Sequence, residues 1–187
     1  MNIIFLDVDG VLNGYNIFSD TCYKIAKKLH LPRSIKNIFD PFRISERRIK
    51  FLSEIVHKTK AKVVLSSSLR KSYWEIPYEK KIGDLKRLEE LFRKYNLEII
   101  DITPQCVSNR REDEIISWLA RNEKKVDNFV ILDDERSNLE CFVGSNLVQT
   151  SSIKEGEIIK GYSSENTGLK KKHIKMAIDI LSIKKVD

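Results

Sequence analysis

An apolar run near the start of the chain, Ile3-Ile4-Phe5-Leu6, ends in two acids one residue apart, Asp7 and Asp9, and then Gly10. A later run, Phe129-Val130-Ile131-Leu132, ends in a second acid pair, Asp133-Asp134. Side chains alternate along a strand, so Asp7 and Asp9 start on one side with Val8 opposite. Two carboxylates that close repel, and ionising both needs a cation or a shared proton. Hard oxygen donors of this kind suit Mg²⁺, which takes octahedral geometry and keeps several waters. Gly10 lets the chain turn sharply as it leaves the strand. A third run, Lys62-Val63-Val64-Leu65, ends in the hydroxyls Ser66-Ser67-Ser68. The pattern predicts a metal and phosphate site at the carboxyl end of the first strand.

Those tips need elements to hold them. Continuous apolar runs predict strands buried on both faces, at Ile3–Leu6, Lys62–Ser66, Leu97–Ile102 and Phe129–Asp134, with a short fifth at Leu147–Thr150. Between them, apolar residues recur at helical spacing. Ser45 is placed to cap a helix carrying Ile49, Leu52, Ile55 and Val56. Asp84 is placed to cap one carrying Leu85, Leu88, Leu91 and Phe92. Arg111 stands at the start of a third, with Ile115, Ile116 and Leu119 inward; a short helix with Leu139, Phe142 and Val143 follows the fourth strand; a last helix runs from about Gly168 to Ile183. Residues 13–43 have no clear period and read as a small insertion with about one short helix and a turn at Asp40-Pro41. Residues 74–83 read as irregular. Strands alternating with helices predict an α/β, Rossmann-like, mainly parallel sheet with helices on both faces, whose ligands bind outside the carboxyl ends of the strands. No linker or internal repeat divides residues 1–187, which read as one domain with a small or minimal cap.

Composition narrows the class. The 187 residues are 41% hydrophobic and 33% charged, which fits a soluble globular chain. No apolar run approaches the roughly 20 residues that span a bilayer, and the first strand leaves no room for a signal peptide, so the expectation is cytoplasmic with no membrane partner. Cys22, Cys106 and Cys141 lie far apart, neither a disulfide framework nor a zinc cluster. The net charge of +7, from 34 Lys+Arg against 27 Asp+Glu, favours phosphorylated or polyanionic partners.

Together, Asp7-Val8-Asp9-Gly10, Ser66 at the end of an apolar strand and Asp133-Asp134 at the end of a later one resemble the first, second and fourth motifs of the haloacid dehalogenase (HAD) superfamily of phosphatases. The resemblance spans most of the chain. The third motif is a lone Lys or Arg. Arg111-Glu112-Asp113-Glu114-Ile115 resembles the R-G-x-E-I stretch of small HAD phosphatases that carry S-S-x-R after the second strand, with Glu112 in place of the Gly; Arg110 is the rival. Ser67-Ser68-Leu69-Arg70 and Thr167-Gly168-Leu169 resemble the same subgroup, some members of which are fused to RNA-repair enzymes.

This resemblance implies a Mg²⁺-dependent phosphomonoester phosphatase working through an aspartyl-phosphate. Asp7 would be the nucleophile and Asp9 the general acid and base. Ser66 and Arg111 would bind the phosphoryl oxygens, with Ser67, Arg70 and Gly10 as further substrate-binding candidates. The metal would be held by Asp7, the backbone carbonyl of Asp9, Asp133 and Asp134. The partner would be a nucleotide, a nucleic-acid end, a small phosphomonoester or a phosphoprotein. Two alternatives stand beside it: a nucleic-acid end-processing phosphatase, and a phosphate-binding regulatory module with little turnover.

Other features read as structural. His30, His57 and His173 lack metal-ligand spacing, and Asp101 reads as a turn residue. Arg70-Lys71-Ser72-Tyr73-Trp74 mixes cations with aromatics, as nucleic-acid binders do, although Trp74 is expected to pack beneath residues 74–83. Lys170-Lys171-Lys172 reads as a solvated helix face.

Overall fold

The computed structural model describes residues 1–13, 17–40, 43–150 and 168–183. Pro41 of the expected turn and Thr167 lie outside the described residues. Among the described residues, five strands form one sheet: β1 Ile3–Leu6, β2 Lys62–Leu65, β3 Ile99–Ile102, β4 Phe129–Asp133 and β5 Leu147–Gln149. They are ordered β3-β2-β1-β4-β5, and every pairing is parallel. The register aligns Leu6 with Leu65 on one side and Leu132 on the other, so three strand tips end level.

The helices among the described residues are α1 Ile17–Lys28, α2 Arg33–Ile38, α3 Glu46–Thr59, α4 Arg70–Glu75, α5 Gly83–Lys94, α6 Arg111–Asn122 and α7 Lys171–Leu181. Alternation along β1 divides the core in two. Ile4 and Leu6 face Ile49, Leu52 and Ile55 of α3, Leu88 and Leu91 of α5, and Ile174 and Ala177 of α7. Ile3 and Phe5 face Ile115 and Trp118 of α6. Phe5 meets Trp118 edge to face at 5.3 Å and Phe129 at 5.9 Å; truncating such a ring to Ala costs about 3–5 kcal/mol. The sheet is therefore covered on both faces, as strands apolar throughout require. No helix of the described residues is long and apolar enough to cross a membrane.

Several local expectations need correcting. The described part of residues 13–43 carries two helices, α1 and α2, rather than about one. Residues 74–83 are not irregular throughout: α4 extends to Glu75 and Tyr78–Lys80 makes a 3₁₀ turn. That stretch is held by Lys81, whose ammonium lies 3.9 Å from the Tyr73 ring centroid and 2.9 Å from Glu89 of α5. Trp74 is 54% exposed rather than packed beneath it. Ser45 precedes α3 without a side-chain capping bond. Asp84 lies inside the first turn of α5 instead of capping it, where its charge still complements the helix dipole. The segment after β4 is a 3₁₀ turn, Glu140–Phe142, and the last helix starts at Lys171. Asp101 is in β3 and not in a turn; its Oδ2 accepts the Trp118 indole N–H at 2.7 Å, which ties the edge strand to α6.

Candidate active site

Strand order reverses between β1 and β4: β2 and β3 extend to one side, β5 to the other. Crossovers leave that point on opposite faces, so a crevice opens above the carboxyl ends of the two central strands. Sheet pairing continues past those ends. Asp7 N–H donates to Leu132 O at 3.0 Å, Ser66 N–H to Leu6 O at 2.8 Å, and Thr150 N–H to Asp133 O at 2.8 Å. These bonds fix the backbone that carries the three polar side chains.

Asp7 and Asp133 are buried, at 5% and 1% exposure. One carboxylate oxygen from each of Asp7, Asp133 and Asp134 lies within 4.8 Å of the others. Arg111, the first residue of α6, reaches between the two buried acids. Its Nη1 is 2.9 Å from Asp7 Oδ1 and 3.1 Å from Asp133 Oδ2, and it also donates to the Ser66 carbonyl. One guanidinium only partly offsets the crowding. Burial pushes the Asp7 carboxyl up, against the pull of Arg111 and a Ser67 hydrogen bond. Burial, with help from Asp7, pushes Asp133 up to about 7, although Arg111 and the Glu135 N–H oppose it. Three hard oxygen donors short of positive charge fit a small divalent cation.

The same rim holds an unsatisfied hydroxyl. Ser66 Oγ is buried and has no hydrogen-bond partner among the described residues. A buried hydroxyl left unpaired costs roughly 1–3 kcal/mol, a cost that a ligand oxygen would remove.

The loop after Asp7 turns on itself. Val8 O accepts the N–H groups of Leu12 at 2.9 Å and of Val11 and Asn13 at 3.3 Å. Gly10 has φ +68°, and a Cβ there would stand 2.3 Å from Asp134 Cγ. Only glycine allows both that turn and the approach of Asp134. Asp9 leaves the buried cluster: its side chain is exposed, and its Oδ1 accepts the Asn13 Nδ2–H at 2.7 Å. Asp84 of α5 lies close by, its carboxyl pushed up by burial and by the charges of Asp40 and Asp9. The end of the 13–43 segment therefore borders the Asp9 side of the crevice.

The structure separates the two arginine candidates. Arg111 lies inside the cluster, whereas Arg110 is half exposed and pairs with Glu112. Glu112 occupies ordinary helix in the first turn of α6, so the Gly it replaces is not needed for the backbone there. Arg70 does not enter the cluster. It pairs with Glu114 and donates from Nη1 to Ser67 O at 3.0 Å, which braces α4 against α6. Ser67 is fully buried and supports Asp7. Asn13 lies outside the sequence motifs, because an asparagine after a glycine turn carries no chemical signal of its own.

A cleft of about 670 Å³ opens between α4 and α6, from Ser68 across the end of β3, with Lys71, Gln105, Trp118, Arg121 and Asn122 among its walls. That volume lies within the range of ligand sites, about 300–1,000 Å³.

The family model described as HAD domain in Swiss Army Knife RNA repair proteins matches residues 3–155, which include Asp7, Ser66, Arg111 and the Asp133-Asp134 pair. The match ends before α7, whose Ile174, Ala177 and Leu181 complete the core on the α3 face. No curated protein matches the chain.

Proposed function

The chain belongs to the family of HAD domains in Swiss Army Knife RNA repair proteins, and on that premise we propose that it is a Mg²⁺-dependent phosphomonoesterase acting on phosphorylated nucleic-acid ends through an aspartyl-phosphate on Asp7. One observation carries the reading: a cluster of three carboxylates, two of them, Asp7 and Asp133, buried and bridged by Arg111, on the same rim as the unpartnered hydroxyl of Ser66.

Asp7, Asp133, Asp134 and the Asp9 carbonyl would hold Mg²⁺, which when bound offsets the repulsion between Asp7 and a phosphoryl group. Ser66 Oγ and the Arg111 guanidinium donate to the phosphoryl oxygens and stabilise charge that spreads over them in the transition state. An Asp7 carboxylate oxygen attacks phosphorus in line as the bond to the ester oxygen breaks. Asp9 gives its proton to that leaving oxygen. Asp9 then takes a proton from water as the water oxygen attacks phosphorus and the Asp7–phosphorus bond breaks, which releases phosphate and restores both acids.

Three features support the nucleic-acid end as substrate. They are the family, the positive net charge and the cleft that starts two residues beyond Ser66 with Lys71 and Arg121 on its walls. Cations there would follow the backbone of a strand whose terminal phosphate reaches Asp7. Free thiols at Cys22, Cys106 and Cys141 suit a reducing compartment, and we place the protein in the cytoplasm. We read residues 1–187 as one domain, with 13–43 a small cap at the crevice mouth.

The test is phosphate release from an aryl phosphate and from oligonucleotides bearing a 5′- or 3′-phosphate, with Mg²⁺ or with EDTA. The expected result is Mg²⁺-dependent turnover, faster on oligonucleotides than on mononucleotides, with a loss of at least about a thousandfold in Asp7→Asn. Activity that survives Asp7→Asn or EDTA refutes the mechanism. Equal rates on mononucleotides and oligonucleotides refute the substrate class.

A further inference from the structure

Asn13 lies outside the four motifs, yet it is 8% exposed and both ends of its side-chain amide are used. Oδ1 accepts the Gly10 N–H at 2.8 Å, and Nδ2 donates to Asp9 Oδ1 at 2.7 Å. The Gly10 N–H can only donate, so it fixes which end of the amide is oxygen. The Nδ2–H group is then committed to Asp9. Among the described residues, no other hydrogen bond reaches the Asp9 carboxyl.

The consequence falls on Asp9. An exposed aspartate with no partner samples several rotamers, and a proton donor must be within hydrogen-bond reach of its target. Asn13 is held by its own N–H bond to Val8 O and by burial, so it is a rigid anchor for a side chain that lacks one. It also distinguishes the two oxygens. Oδ1 accepts from Nδ2, and an oxygen so engaged is the poorer site for the acid's proton; Oδ2 is left to carry it. We propose that Asn13 is a positioning residue that holds the Asp9 carboxyl with Oδ2 facing the leaving oxygen of the substrate. The inference rests on the phosphomonoesterase reading of the site.

The step concerned is proton delivery from Asp9 Oδ2 to the ester oxygen as its bond to phosphorus breaks and the Asp7–phosphorus bond forms. An alkoxide leaving group needs that proton, whereas a nitrophenolate departs nearly unaided. The experiment measures kcat/KM, which covers the steps up to phosphoenzyme formation, for glycerol phosphate and for 4-nitrophenyl phosphate. The variants are Asn13→Ala and Asn13→Asp, with Asp9→Asn as the benchmark.

Loss of general acid catalysis should lower the alkyl rate by about a hundredfold in both Asn13 variants and the aryl rate only a fewfold, following the pattern of Asp9→Asn. Asn13→Asp is nearly isosteric and keeps the acceptor for the Gly10 N–H, so the turn survives in it. If Asn13 served the loop alone, Asn13→Asp would match wild type, and that outcome overturns the inference. An equal fall on both esters in both variants overturns it as well. A wild-type chain that hydrolyses neither ester overturns the phosphomonoesterase reading and this inference with it.

Discussion

The rim between β1 and β4 and the cleft flanking β3 both open near the carboxyl ends of the strands, yet they hold charge in opposite ways. At the rim, Asp7 and Asp133 are buried and the partly buried Arg111 locks them together. In the cleft, Lys71, Arg121 and Glu75 are exposed, and a second acid, Asp101, is occupied by the Trp118 indole N–H. Buried charges act in a low dielectric and are costly to unbalance; exposed ones are screened and exchange partners freely. On the proposed function, the rim would act on one phosphoryl group with strict geometry, and the cleft would hold a polyanion loosely. The difference predicts that rim substitutions change turnover on every phosphoester, and cleft substitutions change binding of long substrates alone.

The largest effect should separate two adjacent arginines. Arg111→Ala removes the cation between Asp7 and Asp133 and the proposed donor to the phosphoryl oxygens, and should lower kcat by about 10²–10³. Arg110→Ala removes a half-exposed pair with Glu112 and should stay within about threefold, since such pairs contribute about 0–1 kcal/mol. Steady-state kinetics on an aryl phosphate decides it. Similar losses in the two variants would mean that the site recruits its cation by rearranging α6, and the contrast between rim and surface would fail.

A smaller effect is expected in the cleft. Lys71→Ala combined with Arg121→Ala should raise KM for a phosphorylated oligonucleotide about thirtyfold, taking each phosphate contact as about 1 kcal/mol. The salt dependence of binding should become shallower by about two in log–log slope. KM for an aryl phosphate should not move. A parallel rise for both substrates would show that the cleft supports the rim structurally and does not track a strand.

The rim was readable in sequence because its chemistry violates the pattern that positions it. Acids at the ends of apolar runs have no packing reason to be there, so Asp7 and Asp133-Asp134 stood out, as did the serines after Leu65. The sheet was readable for the same reason: Ile3–Leu6 and Phe129–Leu132 are apolar at every position because both faces are covered. What was hidden depends on partners far away in the chain. Asp101 looked like a turn residue because its partner, Trp118, is 17 positions on. The stretch after Trp74 looked irregular because the Lys81–Tyr73–Glu89 contact that holds it leaves no periodicity. Asn13 was hidden because its work is two hydrogen bonds within a turn, made by a residue type common in any turn. The first arginine contrast was open for another reason: neighbours at the start of a helix point about 100° apart, and spacing alone does not say which one faces in.

The last effect is thermodynamic and tests whether crowding at the rim is relieved by metal. Burial raises the folded-state pKa of Asp133 from 3.8 to about 7. Between those values the folded chain binds more protons at this group than the unfolded chain does. Stability from this group is therefore full at low pH and is lost as pH rises towards 7. His173, which burial pushes down to about 4, has the opposite sign and loses stability as pH falls from 6.5. The two windows overlap only below 6.5, so the interval from about pH 6.5 to about pH 8 isolates the rim. Mg²⁺ would bind the deprotonated carboxylates, so its affinity should rise with pH through 7. At a Mg²⁺ concentration about ten times Kd near pH 8, the stabilisation is about 1.4 kcal/mol, or about 3–6 °C in Tm. Near pH 6.5 the same concentration should give less, because protons compete for Asp133. Thermal melts of wild type and Asp133→Asn with Mg²⁺ and with EDTA measure it. Asp133→Asn should be more stable than wild type in EDTA near pH 8 and gain nothing from Mg²⁺. If wild type shows the same Tm with and without Mg²⁺ at both pH values, then Arg111 alone balances the rim and the three carboxylates do not form a metal site.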